Sequence, residues 1–202
     1  MQIKNAAFLK SSANVTGCPS PVKPEYAFIG RSNVGKSSLI NMLVNKNGLA
    51  KTSGTPGKTQ LINHFDINDA FWIVDLPGYG YAKVPKAIAA TWDKMISDYL
   101  HQRPNLMCVF VLIDSRHEPQ KNDLAFIQNL GEAGVPLCII FTKADKQSKS
   151  KTSKNIKAFN QTLAQTWEEL PTYFTTSAET KEGRAEILGF LEKYNAVFKK
   201  PA

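Results

Sequence analysis

Eight consecutive residues of the 202-residue chain, Gly30-Arg31-Ser32-Asn33-Val34-Gly35-Lys36-Ser37, have the types and spacing of a loop that wraps a polyphosphate. In such a G-x-x-x-x-G-K-[ST] loop, successive backbone N–H groups turn inward onto phosphate oxygens. The positive end of the helix that follows adds to the attraction. Gly30 and Gly35 permit backbone angles and a close approach that a side chain would block. Lys36 is then the cation that bridges β- and γ-phosphate oxygens, the Ser37 hydroxyl is a magnesium ligand, and Ser38 continues the loop into the helix.

Three later segments offer matching chemistry. Asp75-Leu76-Pro77-Gly78 ends an apolar run; its aspartate can hold magnesium through water, and the Gly78 N–H can meet the γ-phosphate. Thr142-Lys143-Ala144-Asp145 follows another apolar run. The two oxygens of the Asp145 carboxylate can accept from N1–H and the exocyclic amine of guanine, a match that adenine lacks, so they select GTP over ATP. The aliphatic stem of Lys143 can pack on the base. Thr176-Ser177-Ala178 is small enough to let a backbone N–H approach guanine O6, and the same tripeptide also reads as an ordinary lead-in to a helix.

The elements that must position these groups alternate. A strand over Glu25 to Gly30 is followed by a helix from Ser38, and Asn45 to Thr59 reads as a mobile loop rich in Gly, Lys, Ser and Thr. Leu61 to Ile67 and Ala70 to Val74 read as a hairpin turning at Asn68-Asp69. Helices over 86–102, 120–130, 152–168 and 181–198 alternate with strands over 106–113, 135–141 and 172–175. This pattern predicts an α/β fold with a mostly parallel sheet covered on both faces, a three-layer α/β/α domain. Residues 1–24 read as an irregular lead-in with an edge strand at Ala6 to Leu9, and 25–200 as one nucleotide-binding domain. In such a sheet, ligands sit beyond the C-terminal strand ends, where all four segments fall.

Composition narrows the setting. With 43% hydrophobic and 21% charged residues, the chain has the make-up of a soluble globular domain. No apolar run is long enough to span a membrane, and the N-terminus lacks a signal-type core, so the cytoplasm is expected. Cys18, Cys108 and Cys138 have no metal spacing and read as reduced thiols. A formal net charge of +8 favours a polyanionic partner, or serves only to keep the protein soluble. Lysines crowd at 143, 146, 149, 151, 154 and 157, where a solvated helix face explains much of the run, and again at 193, 199 and 200.

The order of these segments resembles the translation-factor-like branch of P-loop GTPases. Beyond the phosphate loop, Thr-Pro-Gly-Lys-Thr-Gln and Asp-Leu-Pro-Gly-Tyr-Gly-Tyr-Ala resemble the EngB (YihA/YsxC) family of bacterial GTPases, from about residue 6 to the C-terminus. The resemblance implies a Ras-like fold with one antiparallel edge strand, weak GTP hydrolysis, a role in assembling the large ribosomal subunit or its precursor, and a part in cell division and septation. It implies that Gly57, Lys58, Thr59, Gln60 and Leu61 join the nucleotide-binding residues. Thr59 becomes the switch I threonine that closes over magnesium, alongside Ser37 and Asp75. Lys36, Thr59, Gly78 and Asn33 are the expected catalytic set, and Tyr79, Tyr81 and Lys83 the expected partner contacts, unless they pack onto their own helix.

Two residues depart from other GTPases. Tyr79 stands where Ras-type enzymes place a water-orienting glutamine, so intrinsic turnover is expected to be slow. Thr142 stands where many GTPases use asparagine, and its hydroxyl makes fewer hydrogen bonds. Asn33 matches the loop asparagine of GTPases that recruit a potassium ion, or merely shapes the loop. Two other functions compete: a small-molecule kinase, which Asp145 and Thr59 argue against, and a nucleotide-gated binding module acting at division independently of the ribosome.

Overall fold

The computed structural model describes residues 1–51, 61–80 and 86–201, without the side chains of residues 86–89. Seven strands form one sheet: β1 (Ala6–Ser12), β2 (Glu25–Gly30), β3 (Ile62–Ile67), β4 (Phe71–Asp75), β5 (Leu106–Asp114), β6 (Leu137–Thr142) and β7 (Tyr173–Thr175). They lie in the order β1-β3-β4-β2-β5-β6-β7. From β4 to β7 all neighbours are parallel, while β3 runs antiparallel to both β4 and β1. The edge strand expected at the N-terminus is present and longer than expected, reaching Ser12 with a register shift between Phe8 and Lys10. The reversed strand β3 therefore lies one place in from the edge.

The hairpin joining β3 to β4 turns where expected. Asn68 and Asp69 both adopt left-handed backbone angles, φ 55°, and the Ala70 N–H closes the turn on the Ile67 carbonyl at 2.9 Å. The Asn68 side chain accepts from the N–H groups of Lys4 and Asn5 at 2.7 and 2.9 Å, which ties the N-terminal segment to the turn.

Helices α1 (Lys36–Val44) and α5 (Arg184–Asn195) cover one face of the sheet. Helices α2 (Lys86–Gln102), α3 (Lys121–Glu132) and α4 (Lys149–Leu163) cover the other. Alternate residues of β2 feed the two cores: Ala27 and Ile29 join one, Tyr26 and Phe28 the other. Apolar side chains on both faces are what a parallel, doubly covered strand requires. Several boundaries differ from the periodicity: α4 ends at Leu163 rather than 168, and α5 spans Arg184–Asn195 rather than 181–198. β6 begins at Leu137 rather than 135, because Pro136 has no N–H to give a ladder. α4 begins at Lys149 rather than 152, because the Ser148 side chain caps it by accepting from the Lys151 N–H at 3.3 Å.

At the end of the sheet opposite the phosphate loop, the Glu25 carboxylate is fully buried. It accepts from the Tyr99 hydroxyl at 2.6 Å, from Arg103 Nε at 3.1 Å and from His64 Nε2 at 3.2 Å; Arg103 Nη2 also pairs with it. Because a carboxylate only accepts, the His64 proton toward it sits on Nε2. Arg103 Nη1 also donates to the Pro19 carbonyl at 3.0 Å, so the lead-in, β2, β3 and the end of α2 meet at one charge. Burial pushes the Glu25 carboxyl up, but the hydrogen bonds from His64 and Arg103 and the adjacent cationic charge prevail and hold it at about 2.

Arg103→Leu leaves that carboxylate buried without its cation and is expected to cost about 3–5 kcal/mol in urea unfolding. A loss below about 1 kcal/mol would remove the cluster as a structural anchor. Since the folded pKa lies below the ordinary 4.5, the stabilisation is complete above that pH and is lost as pH falls toward 2. The stability gap between wild type and Glu25→Gln is therefore expected to narrow over that interval, as followed by denaturant unfolding at stepped pH.

Candidate functional site

The phosphate loop leaves β2 at Gly30. A Cβ there would stand 2.9 Å from the Leu112 carbonyl of β5 and 2.9 Å from Val34 Cγ1, so only glycine lets the loop fold back over the sheet. Asn33 (φ 62°) and Gly35 (φ 100°) take left-handed angles, and Val34 is buried between them. α1 starts directly after, at Lys36, and the Leu39 N–H bonds the Gly35 carbonyl at 2.9 Å. Ser32 and Ser38 are exposed and Ser37 is half-buried at the helix start.

Asp75 closes β4, and Leu76 extends the pairing by donating its N–H to the Phe28 carbonyl at 3.0 Å. Lys36 Nζ pairs with the Asp75 carboxylate and donates to the Leu76 carbonyl at 2.6 Å. Burial pulls the Lys36 ammonium down to about 7, and the adjoining carboxylate is the group that favours its charged form. Pro77, Gly78 and Tyr79 are buried. Tyr79 forms a parallel bridge with Arg31, which holds the peptide after Gly78 against the phosphate loop. Its ring stacks on Phe126 of α3 at 4.2 Å, and its hydroxyl donates to buried Asp123 at 2.9 Å. Tyr79 is thus packed onto α3 in this conformation, rather than offered to a partner.

β6 ends at Thr142, whose hydroxyl donates to the Val34 carbonyl at 2.7 Å. That bond joins the base segment to the phosphate loop through a hydroxyl in place of an amide. Lys143 takes φ 60° and donates to the Asn33 carbonyl at 2.6 Å and to Asp114 at 2.9 Å. The Ala144 N–H bonds the Thr176 carbonyl at 3.1 Å, which brings the Thr176-Ser177-Ala178 segment alongside. A hydrogen bond from Ser177, with Lys146 at 3.0 Å, holds the Asp145 carboxyl below its ordinary range.

All four segments therefore converge at the C-terminal ends of β2, β4, β6 and β7. Gly57, Lys58, Thr59 and Gln60, with Tyr81 and Lys83, lie outside the described residues; Leu61 is exposed just ahead of β3. The residues that sequence reasoning passed over are Asp114 and Asp123. Asp114 closes β5, receives Arg116 through Nε at 2.9 Å and Nη2 at 2.8 Å, and holds Lys143. Burial opposes its ionisation, but those donors keep its carboxyl far below the usual range. Its position just past an apolar strand was the available signal. A cavity of about 200 Å³ opens there beside Arg31, Asn33, Asp114, Arg116, Asp123 and Lys143.

Comparison with known proteins bears directly on this arrangement. The family described as 50S ribosome-binding GTPase matches residues 25–143. The probable GTP-binding protein EngB of Porphyromonas gingivalis is 55% identical over 195 residues, 96% of this chain and 97% of that one. Its namesake from Flavobacterium johnsoniae is 54% identical over 201 residues, 98% and 96% of the two chains. Among solved structures, one of a probable GTP-binding protein EngB superposes with a TM-score of 0.68 at 22% identity, covering 85% of this chain and 98% of the other. Aquifex aeolicus Era bound to GDP and aluminium fluoride superposes at 0.67 and 21% identity, covering 84% and 56%. At those identities the two structures establish the Ras-like P-loop fold, and the sequence relatives establish the family. The chain belongs to the EngB family of 50S ribosome-binding GTPases, and its reaction is the hydrolysis of GTP.

Proposed function

We propose that GTP binding switches this chain onto the large ribosomal subunit or its precursor in the cytoplasm, and that hydrolysis to GDP and phosphate releases it. The observation that supports this most directly is the meeting of a phosphate half, Lys36 with Asp75, and a base half, Asp145 with Ser177, at one end of the sheet. In this reading the N–H groups from Gly30 to Ser38 and the Lys36 ammonium hold the phosphates. Asp145 reads the guanine edge, the Lys143 stem covers its face, and the Ala178 N–H meets O6. Water attacks the γ-phosphorus, the bond to the β–γ bridging oxygen breaks, and Lys36 with the Gly78 N–H stabilises the charge that develops.

Magnesium fits this donor set. The Ser37 hydroxyl, next in the chain to Lys36, and the Asp75 carboxylate that pairs with Lys36 would supply hard oxygen donors, the aspartate through water, with Thr59 as the expected third. Bound there, the ion would neutralise charge between β- and γ-phosphate oxygens. Tyr79 has its hydroxyl committed to Asp123 and carries no amide, which supports slow intrinsic turnover and acceleration by a partner. Asn33, exposed at the loop tip, is the residue through which a potassium ion would act. The link to cell division and septation follows in this reading from the supply of large subunits.

Three measurements test the proposal. Co-sedimentation with purified large subunits is expected to need a non-hydrolysable GTP analogue and to persist at raised salt; binding that ignores nucleotide and vanishes with salt would reduce it to charge attraction. Asp145→Asn is expected to weaken GTP at least about tenfold and to favour xanthosine triphosphate, since one acceptor becomes a donor. Unchanged GTP affinity would remove Asp145 from the base site. Hydrolysis is expected to run faster in potassium than in sodium buffer, and rates equal in the two buffers, both with and without ribosomal subunits, would exclude a role for the cation.

A further inference from the structure

The lysine run after the base segment is a surface that GTP chemistry does not use. From Lys146 to Trp167 the chain has five lysines, at 146, 149, 151, 154 and 157, and no acidic residue. All five are exposed, and among the described residues only Lys146 is ion-paired, with Asp145 at 3.0 Å. α4 buries Thr152, Ile156, Phe159 and Leu163 against the sheet. At 100° per residue, Lys151, Lys154 and Lys157 therefore fall on the opposite, outward side, each about 4.5 Å further along the axis. Exposed Ser150 and Ser153 lie among them as hydroxyl donors.

A row of unpaired cations with hydroxyls and no acid complements a phosphate backbone. A lipid surface would also call for apolar side chains beside the lysines. The large exposed apolar residues among those described are Phe8, Leu9, Val22, Leu61, Leu170, Tyr173 and Val197, none of them in α4.

We infer that the outward side of α4 docks on RNA backbone, and that Lys151, Lys154 and Lys157 make the phosphate contacts. The inference rests on the ribosomal reading above and names the surface through which it acts. The face is built onto the base segment itself, since α4 starts four residues after Asp145.

The test uses the full chain loaded with a non-hydrolysable GTP analogue, and purified 23S ribosomal RNA as the probe, over a salt series. Lys151→Gln/Lys154→Gln/Lys157→Gln keeps helix propensity and removes three charges. The control, Lys193→Gln/Lys199→Gln/Lys200→Gln, removes the same charge from α5 and the segment after it, and α5 packs on the other face of the sheet. The α4 variant is expected to bind RNA about tenfold or more weakly, with the log–log salt slope reduced by about two to three, and to keep its GTP affinity; the control stays near wild type. Equal losses in both variants, or no loss in either, overturn the assignment. Large-subunit co-sedimentation run in parallel separates the two ideas. Wild type and α4 variant sedimenting equally in the GTP form would overturn the α4 surface and leave the switch standing. Failure of wild type to sediment would remove the switch, and the RNA titration would still decide the surface.

Discussion

The close approach of Gly30 to Leu112 is the constraint from which the nucleotide end of the molecule hangs. With no Cβ to hold it off, the loop lies down on β5, and its carbonyls then sit where neighbouring segments can reach them. Val34 is met by the Thr142 hydroxyl, Asn33 by the Lys143 ammonium, and Arg31 by the backbone of Tyr79. Thr142 and Lys143 come from the end of β6, and Tyr79 from the segment that follows β4. Lifting the loop by a methyl group would disturb the base segment and the segment after Gly78 together, because both use the same short stretch of backbone as their point of attachment.

That arrangement makes α3 a silent participant. It carries no nucleotide motif, yet Asp123 and Phe126 receive the Tyr79 side chain, and the turn leading into the helix carries the Asp114–Arg116 pair that steadies Lys143. Burial raises the Asp123 carboxyl above its ordinary range while the Tyr79 hydroxyl, Arg31 and His117 pull it down, so groups from the phosphate loop and from the segment after Gly78 both act on it. A side chain two elements away from the substrate is thereby coupled to both loops that surround the γ-phosphate position.

Much of this was legible in the residues themselves. The phosphate loop has a fixed spacing, and the apolar runs of β2, β5 and β6 are too continuous for anything but strands covered on both sides. Small turn-forming residues at 68 and 69 announced the hairpin. What could not be read depends on partners distant in the chain. Glu25 looks like an ordinary strand start until His64, Tyr99 and Arg103 close around it, and Tyr79 looks exposed until α3 is in place beneath it. Asp114 was passed over because its ligands lie partly next door, at Arg116, and partly in the base segment, at Lys143. No local pattern joins those two.

The central place of β2 has a consequence for how the protein comes into being. Its hydrogen-bonding neighbours, β4 and β5, both follow it in the chain, and the last of its pairings joins Gly30 to Leu112. During synthesis at roughly 5–20 residues per second, the phosphate loop would wait about 4–16 s for the strand on which it rests. Until then a strand that ends up buried along its whole length has one flank or both unpaired. A member of a family described as ribosome-binding thus depends, for the order of its own sheet, on the pace at which a ribosome translates it.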